Sequence, residues 1–235
     1  KIQENKSLSS CRRRGSVPTD QKIISMNPIL HTVMGPNGAG KSTFGSLYTD
    51  GIPVYDPDKR GMEIRTYIKN LSKSQRKQLY PAYTNDMFEE LFDELTADYQ
   101  WEEYDELRKH CIADSIDFAL ETPFADNFGL NQVLYFKAHG YHIHGIFFGL
   151  NTVAQSIANV SLRVKKKGHD LPLQSIEWNF NQCYFNLKKY MGLFESILFM
   201  DAQNPLNNPV LVAQYKDNRF MNILPGEAGW LRRLT

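Results

Sequence analysis

The chain has 235 residues, 42% of them hydrophobic, with 14 Phe, 12 Tyr and 3 Trp, enough for one sizeable core. Its most apolar stretch, VLYFKAHGYHIHGIFFGL, is broken by Lys137 and three His, which excludes the roughly 18 uncharged residues of a membrane-spanning helix. The net charge is +1, and the three scattered cysteines (Cys11, Cys111, Cys183) show no metal-ligand spacing and suit a reducing, cytoplasmic compartment.

Residues 1–25 carry six basic side chains against Glu4 and Asp20, a local +4 that leaves −3 for the rest. This Ser-rich start has no apolar periodicity and reads as a flexible leader or an expression remnant. Its CRRR run reads as solvated charge rather than a nucleic-acid contact. A single domain is expected over 26–235, beginning at Met26 just before the first strand.

Short apolar runs bounded by Gly, Pro or Asp predict strands at Ile29–Met34, Ile52–Tyr55, Phe118–Glu121, His142–Phe148 and Ser196–Met200. Helical patterns lie at Lys41–Tyr48, Asp86–Asp98, Glu102–Ile116, Asn127–His139, Thr152–Lys167 and Leu173–Leu193. That alternation implies βαβ units and a mostly parallel sheet flanked by helices, an α/β fold. Val210–Tyr215, a turn at 216–218 and Arg219–Leu224 predict a C-terminal β-hairpin. Asp86 to Glu106 holds ten acids and no base, the pattern of an amphipathic helix with a solvated acidic face.

The nine residues GPNGAGKST, Gly35 to Thr43, match G-x-x-x-x-G-K-[ST]. Chance gives this pattern in about one chain in a hundred at ordinary glycine content. Here an apolar strand precedes it and a helix pattern follows, as a phosphate-binding loop requires. Gly35, Gly38 and Gly40 let the backbone turn its N–H groups inward, with Asn37, Ala39 and Thr43 completing the cradle. Lys41 reaches the β- and γ-phosphates and the Ser42 hydroxyl ligates Mg²⁺. The ligand expected is therefore ATP with Mg²⁺, bound by a P-loop NTPase-type domain. LSKSQRKQ at 71–78 lacks paired glycines and no strand ending in Asp-Glu follows it, which argues against a transporter ATPase.

The second strand ends in Asp56-Pro57-Asp58. A carboxylate there faces the crevice where α/β sheets bind ligands and can take a proton from an attacking hydroxyl. Asp58 is assigned as the base; Asp56 is the alternative base or simply caps the turn at Pro57. The third strand ends in Glu121-Thr122, another polar pair at a strand end; Glu121 is placed for the acceptor substrate or the Mg²⁺ shell, or else caps the turn. The strand ending at Asp201 has a Walker-B shape, though it lies late in the chain. Arg163, Lys165, Lys166 and Lys167 lead into Gly168-His169-Asp170, the pattern of a basic lid on a glycine hinge. Arg163 is its transition-state arginine, contacting the ATP phosphates.

In combined order, GPNGAGKST, YDPDKR, FALET, AHGYHIHGIFFGL and SIANVSLRVKKKGHDLP resemble the zeta-toxin family of P-loop kinases, over about residues 26–232. The resemblance implies transfer of the ATP γ-phosphate to a hydroxyl of UDP-N-acetylglucosamine, and an antitoxin as protein partner. It assigns Lys41 and Ser42 to phosphate and Mg²⁺, Asp58 to the base, Glu121 and Thr122 to substrate, and Arg163 to ATP. The chain departs from the family where lid arginines are expected: Asn159 stands at one such position, and Glu177, Trp178 and Asn179 at the others. A metabolic kinase with another acceptor, or a catalytically weakened nucleotide-binding interaction protein, are the alternative readings.

Overall fold

In the computed structural model the described residues are 27–165, 171–204, 207–221, 224 and 228–235. The expected leader and the lid residues from Lys166 to Asp170 lie outside them. Five strands are parallel: β1 (Ile29–Met34), β2 (Val54–Tyr55), β3 (Phe118–Glu121), β4 (His142–Gly149) and β5 (Ser196–Asp201). Two antiparallel strands, β6 (Val210–Lys216) and β7 (Arg219–Met221), complete one seven-stranded sheet in the order β2-β3-β1-β4-β5-β6-β7. The expected mostly parallel α/β sheet with a terminal hairpin is what the chain builds. The hairpin turn places Asp217 and Asn218 at φ of 51° and 58°, the two positive values of a type I′ turn that Asp and Asn tolerate.

The central strands are apolar on both faces because helices cover both. Leu30, Met34, Phe118, Phe147 and Phe199 are completely or almost completely buried in the main core. Trp230, in a 3₁₀ turn at Gly229–Arg233, closes one end of it. Its ring lies so close to Gly149 that a Cβ there would sit 2.1 Å from it.

After the loop, α1 (Lys41–Phe44) is a single turn that tightens into a 3₁₀ segment at Gly45–Tyr48. Between β2 and β3 the chain inserts four helices: α2 (Pro57–Lys69), α3 (Lys73–Leu79), α4 (Asn85–Glu90) and α5 (Phe92–Ala113). Sequence periodicity missed α2 and α3, and it split α5 in two. α2 buries only Ile64 and Ile68, and α3 buries nothing, so neither shows a wide apolar stripe. They start instead on caps: Asp56 accepts from Lys59 N–H, and Ser72 with Gln75 forms a capping box. Ile64, Ile68, Phe88 and Leu95 form a second, smaller core within this insertion. Past β3 come α6 (Asn127–Ala138), α7 (Val153–Lys165) and α8 (Leu173–Tyr190). No helix among the described residues is long and apolar enough to cross a membrane.

Candidate nucleotide site

β1 delivers the chain into the phosphate loop, where Gly35, Gly38 and Gly40 have φ of 135°, 75° and 83°. L side chains rarely adopt these values. At Gly35 a Cβ would also meet the Phe148 carbonyl oxygen at 2.2 Å, and at Gly38 it would meet the Asn159 Cβ at 2.8 Å. Space as well as torsion therefore demands glycine. Ala39 is buried beneath the loop, Asn37 is buried beside it, and Thr43 is exposed.

The lower side of the site is charged. Lys41 is 6% exposed; its Nζ donates to the Pro36 carbonyl at 3.1 Å and lies 3.9 Å from Glu121 Oε1. Ser42 Oγ is 2.9 Å from Glu121 Oε1 and 3.2 Å from Asp56 Oδ2, so its one proton serves either carboxylate. Sheet register explains the meeting. Tyr55 pairs with Leu120, and the next residues of β2 and β3 are Asp56 and Glu121, which leave the sheet side by side. Val33 pairs with Glu121, which brings the end of β1 to the same place.

Glu121 is the stressed group of this set. Its Oε2 is buried and has no hydrogen-bond partner. Burial pushes its carboxyl up to about 7, against the opposing pull of the Lys41 ammonium. Asp56 also caps α2, accepting from Lys59 N–H at 3.1 Å. Asp58 stands in the first turn of α2 and is exposed. Thr122 is buried; its N–H donates to Val33 at 3.0 Å and its hydroxyl accepts from Phe124 N–H at 3.0 Å. That hydroxyl holds a tight turn in which Phe124 takes φ 57°.

The upper side is neutral. Ser156 Oγ donates to the Asn37 carbonyl at 2.6 Å, and Asn159 Nδ2 donates to the Gly38 carbonyl at 3.0 Å. From α8, Asn179 Nδ2 donates to Asn37 Oδ1 at 2.8 Å. These three contacts had no signature in the sequence, because uncharged hydrogen-bonding residues in a helix follow no period. Arg163 lies one turn beyond Asn159 on the same face of α7, in its last turn, and is exposed. The Walker-B-shaped Asp201 is engaged elsewhere: Trp230 Nε1 donates to it at 2.8 Å, and Gln203 Nε2 lies 3.0 Å from both its oxygens. It anchors the C-terminal turn.

Oxygen donors of this kind fit Mg²⁺, which takes one or two carboxylates and a hydroxyl and fills its octahedron with water and phosphate. Ser42, Glu121 and Asp56 offer that partial set, and the orphaned Glu121 oxygen is a vacant acceptor within it. No cluster of three or more His, Cys, Asp or Glu side chains able to hold a metal exists among the described residues.

No protein-family model matches the sequence. An uncharacterized protein of Haemophilus influenzae is 24% identical over 149 residues, covering 62% of this chain and 88% of that protein. Among solved structures, the complex of AvrRxo1-ORF1 with AvrRxo1-ORF2 and sulphate ions superposes with a TM-score of 0.56 at 10% identity, covering 84% of this chain. This chain spans 61% of the length of that one. A structure of the same pair with ATP gives 0.55. The PezAT chromosomal toxin–antitoxin system of Streptococcus pneumoniae gives 0.50 at 19% identity, covering 79% of this chain and 71% of that one. These likenesses establish the fold: a mostly parallel α/β sheet of P-loop type.

Proposed function

We propose that the chain is an ATP-dependent kinase that transfers the γ-phosphate to a hydroxyl of a nucleotide-sugar such as UDP-N-acetylglucosamine. The observation that carries this reading is the convergence of Lys41, Ser42, Glu121 and Asp56 at the foot of the glycine loop, with Asp58 exposed beside them. ATP as ligand is supported by the fold shared with a structure that holds it. The fold shared with a toxin–antitoxin system supports a protein antitoxin as partner.

In this mechanism the Lys41 ammonium leaves the Pro36 carbonyl for the terminal phosphates. Asp58 accepts the proton of the attacking hydroxyl, a role worth about 10²–10⁴ in rate. Ser42, with Glu121 and Asp56, would hold Mg²⁺, whose charge offsets that of the phosphates. Arg163, carried by α7 on the face that meets the loop, turns toward the γ-phosphate as charge develops there. Thr122 fixes the turn after β3 that shapes the acceptor side.

A second reading has one observation in its favour. Asn159 and Asn179 touch the loop where the resemblance calls for arginines, so these two positions bring no charge to the phosphates. That is the chemistry of a nucleotide-binding interaction protein with little or no turnover.

The test is mass spectrometry of UDP-N-acetylglucosamine and of a metabolite extract after incubation with the protein and ATP-Mg²⁺. A new phosphorylated product is expected. Lys41→Ala should abolish it, and Asp58→Asn should lower turnover about 100-fold or more while ATP still binds. Arg163→Ala should lower kcat far more than it raises KM for ATP. ATP binding with no product in either mixture would select the second reading.

A further inference from the structure

The helical insertion holds a cavity of about 260 Å³ that belongs to neither face of the phosphate loop. Lys73, Arg76, Lys77, Tyr80, Tyr83 and Phe88 are among the residues that line it. The three cations stand at i, i+3 and i+4 on α3, and therefore on one face of that helix. α3 buries none of its residues fully, and of its apolar side chains only Leu79, half-buried, packs against the small core.

Each cation has a different state of engagement. Arg76 is fixed: it pairs with Glu89, donates from Nη2 to the Lys69 carbonyl at 3.0 Å, and lies 4.6 Å over the Phe88 ring. Yet its Nε is buried and has no acceptor. Lys77 Nζ is spent on the Pro81 carbonyl at 2.7 Å. Lys73 is exposed and makes no ion pair among the described residues. The other wall is aromatic. Tyr80 and Tyr83 meet edge to face at 6.3 Å, and the Tyr80 hydroxyl is already committed to the Leu95 carbonyl at 3.2 Å. Tyr80 therefore offers ring surface rather than a polar tip.

We propose that this cavity is a second ligand site that takes a small phosphate monoester carried on a planar ring. The phosphate oxygens meet the Lys73 ammonium and the cavity-facing edge of the Arg76 guanidinium, and the ring lies against Tyr83 and Tyr80. The cavity is smaller than the roughly 300–1,000 Å³ of pockets for drug-sized ligands, which favours a single ring with one phosphate over a dinucleotide. This site does not depend on the phosphotransfer reading.

The test is titration of the full chain with phenyl phosphate by calorimetry, in the presence of saturating AMP-PNP and Mg²⁺ to occupy the loop. Saturable binding of one equivalent is expected, weakening as salt rises. Lys73→Glu, a surface change that leaves the fold untouched, should weaken it at least tenfold. Arg76→Gln should do the same, with circular dichroism verifying that the insertion is still folded. Tyr83→Leu should weaken phenyl phosphate more than inorganic phosphate. Absence of saturable binding, or equal affinity in the parent and Lys73→Glu proteins, would overturn the site. Equal affinities for phenyl and inorganic phosphate would overturn its ring half.

Discussion

The parallel sheet and the insertion between β2 and β3 are held together by different physics. The sheet buries long apolar strands between helices, with Phe147, Phe199 and Trp230 in mutual ring contact. The insertion has a core of four buried residues, fringed by half-buried aromatics. Charge supplies much of the rest: Arg60 grips Glu103 with two nitrogens at 2.7 and 2.6 Å, and Arg76 pairs with Glu89 and Arg65 with Asp93. α5 joins the two regions, since Leu95 belongs to the small core while Tyr104, Leu107 and Cys111 belong to the large one. Burial scales with apolar area and ion pairs near the surface contribute little. The region with the smaller core should therefore open first.

The largest effect should come from the sheet. Trp230→Ala empties the space over Gly149 and strips Asp201 of a donor, and is expected to cost about 3–5 kcal/mol in urea unfolding. A loss below about 1 kcal/mol would detach the C-terminal turn from the core. Next comes the insertion's own centre. Phe88→Ala should cost about 3 kcal/mol, but hydrogen exchange should place the loss in α2, α3, α4 and the first half of α5. If β1, β3 and β4 lose protection equally, the two regions form one cooperative unit and the comparison fails. Arg60→Ala should cost about 1–3 kcal/mol, because Glu103 is left half-buried without its partner. Arg60→Lys should recover only part of that, since an ammonium cannot span both oxygens. The smallest change should have the opposite sign. Glu121→Gln replaces a buried, half-satisfied carboxylate with a neutral isostere, so it should raise stability by about 1 kcal/mol. A fall in thermal midpoint for that variant would mean that the Lys41–Glu121 contact outweighs the burial of the acid.

Legibility followed the same divide. β1 and β3 are found at their expected bounds because strands buried on both faces read as short, mostly apolar runs. The loop glycines were readable because their torsions exclude other residues. α2 and α3 were not, because a helix that buries two residues or none has no stripe to read. Their caps were visible in principle: Ser72 with Gln75 is an ordinary capping box, and Asp56 before Pro57 is a helix start. At the site, sequence reasoning found Lys41, Ser42, Asp58 and Glu121 as candidates. It did not find that Ser42 and Glu121 would bond directly, which depends on the register of β1 against β3. The neutral fastening by Ser156, Asn159 and Asn179 is likewise a product of tertiary placement alone.

The two-residue β2 has a further consequence at the rim of the sheet. A rim strand normally exposes a ladder of unpaired amides on which a foreign strand can grow. Here that rim is only Val54 and Tyr55, immediately followed by Asp56, a proline and the first turn of α2. Such a stub is too short to seed strand addition. On this side the molecule is protected against edge-to-edge self-association, and a binding partner would have to engage helical surface instead of extending the sheet.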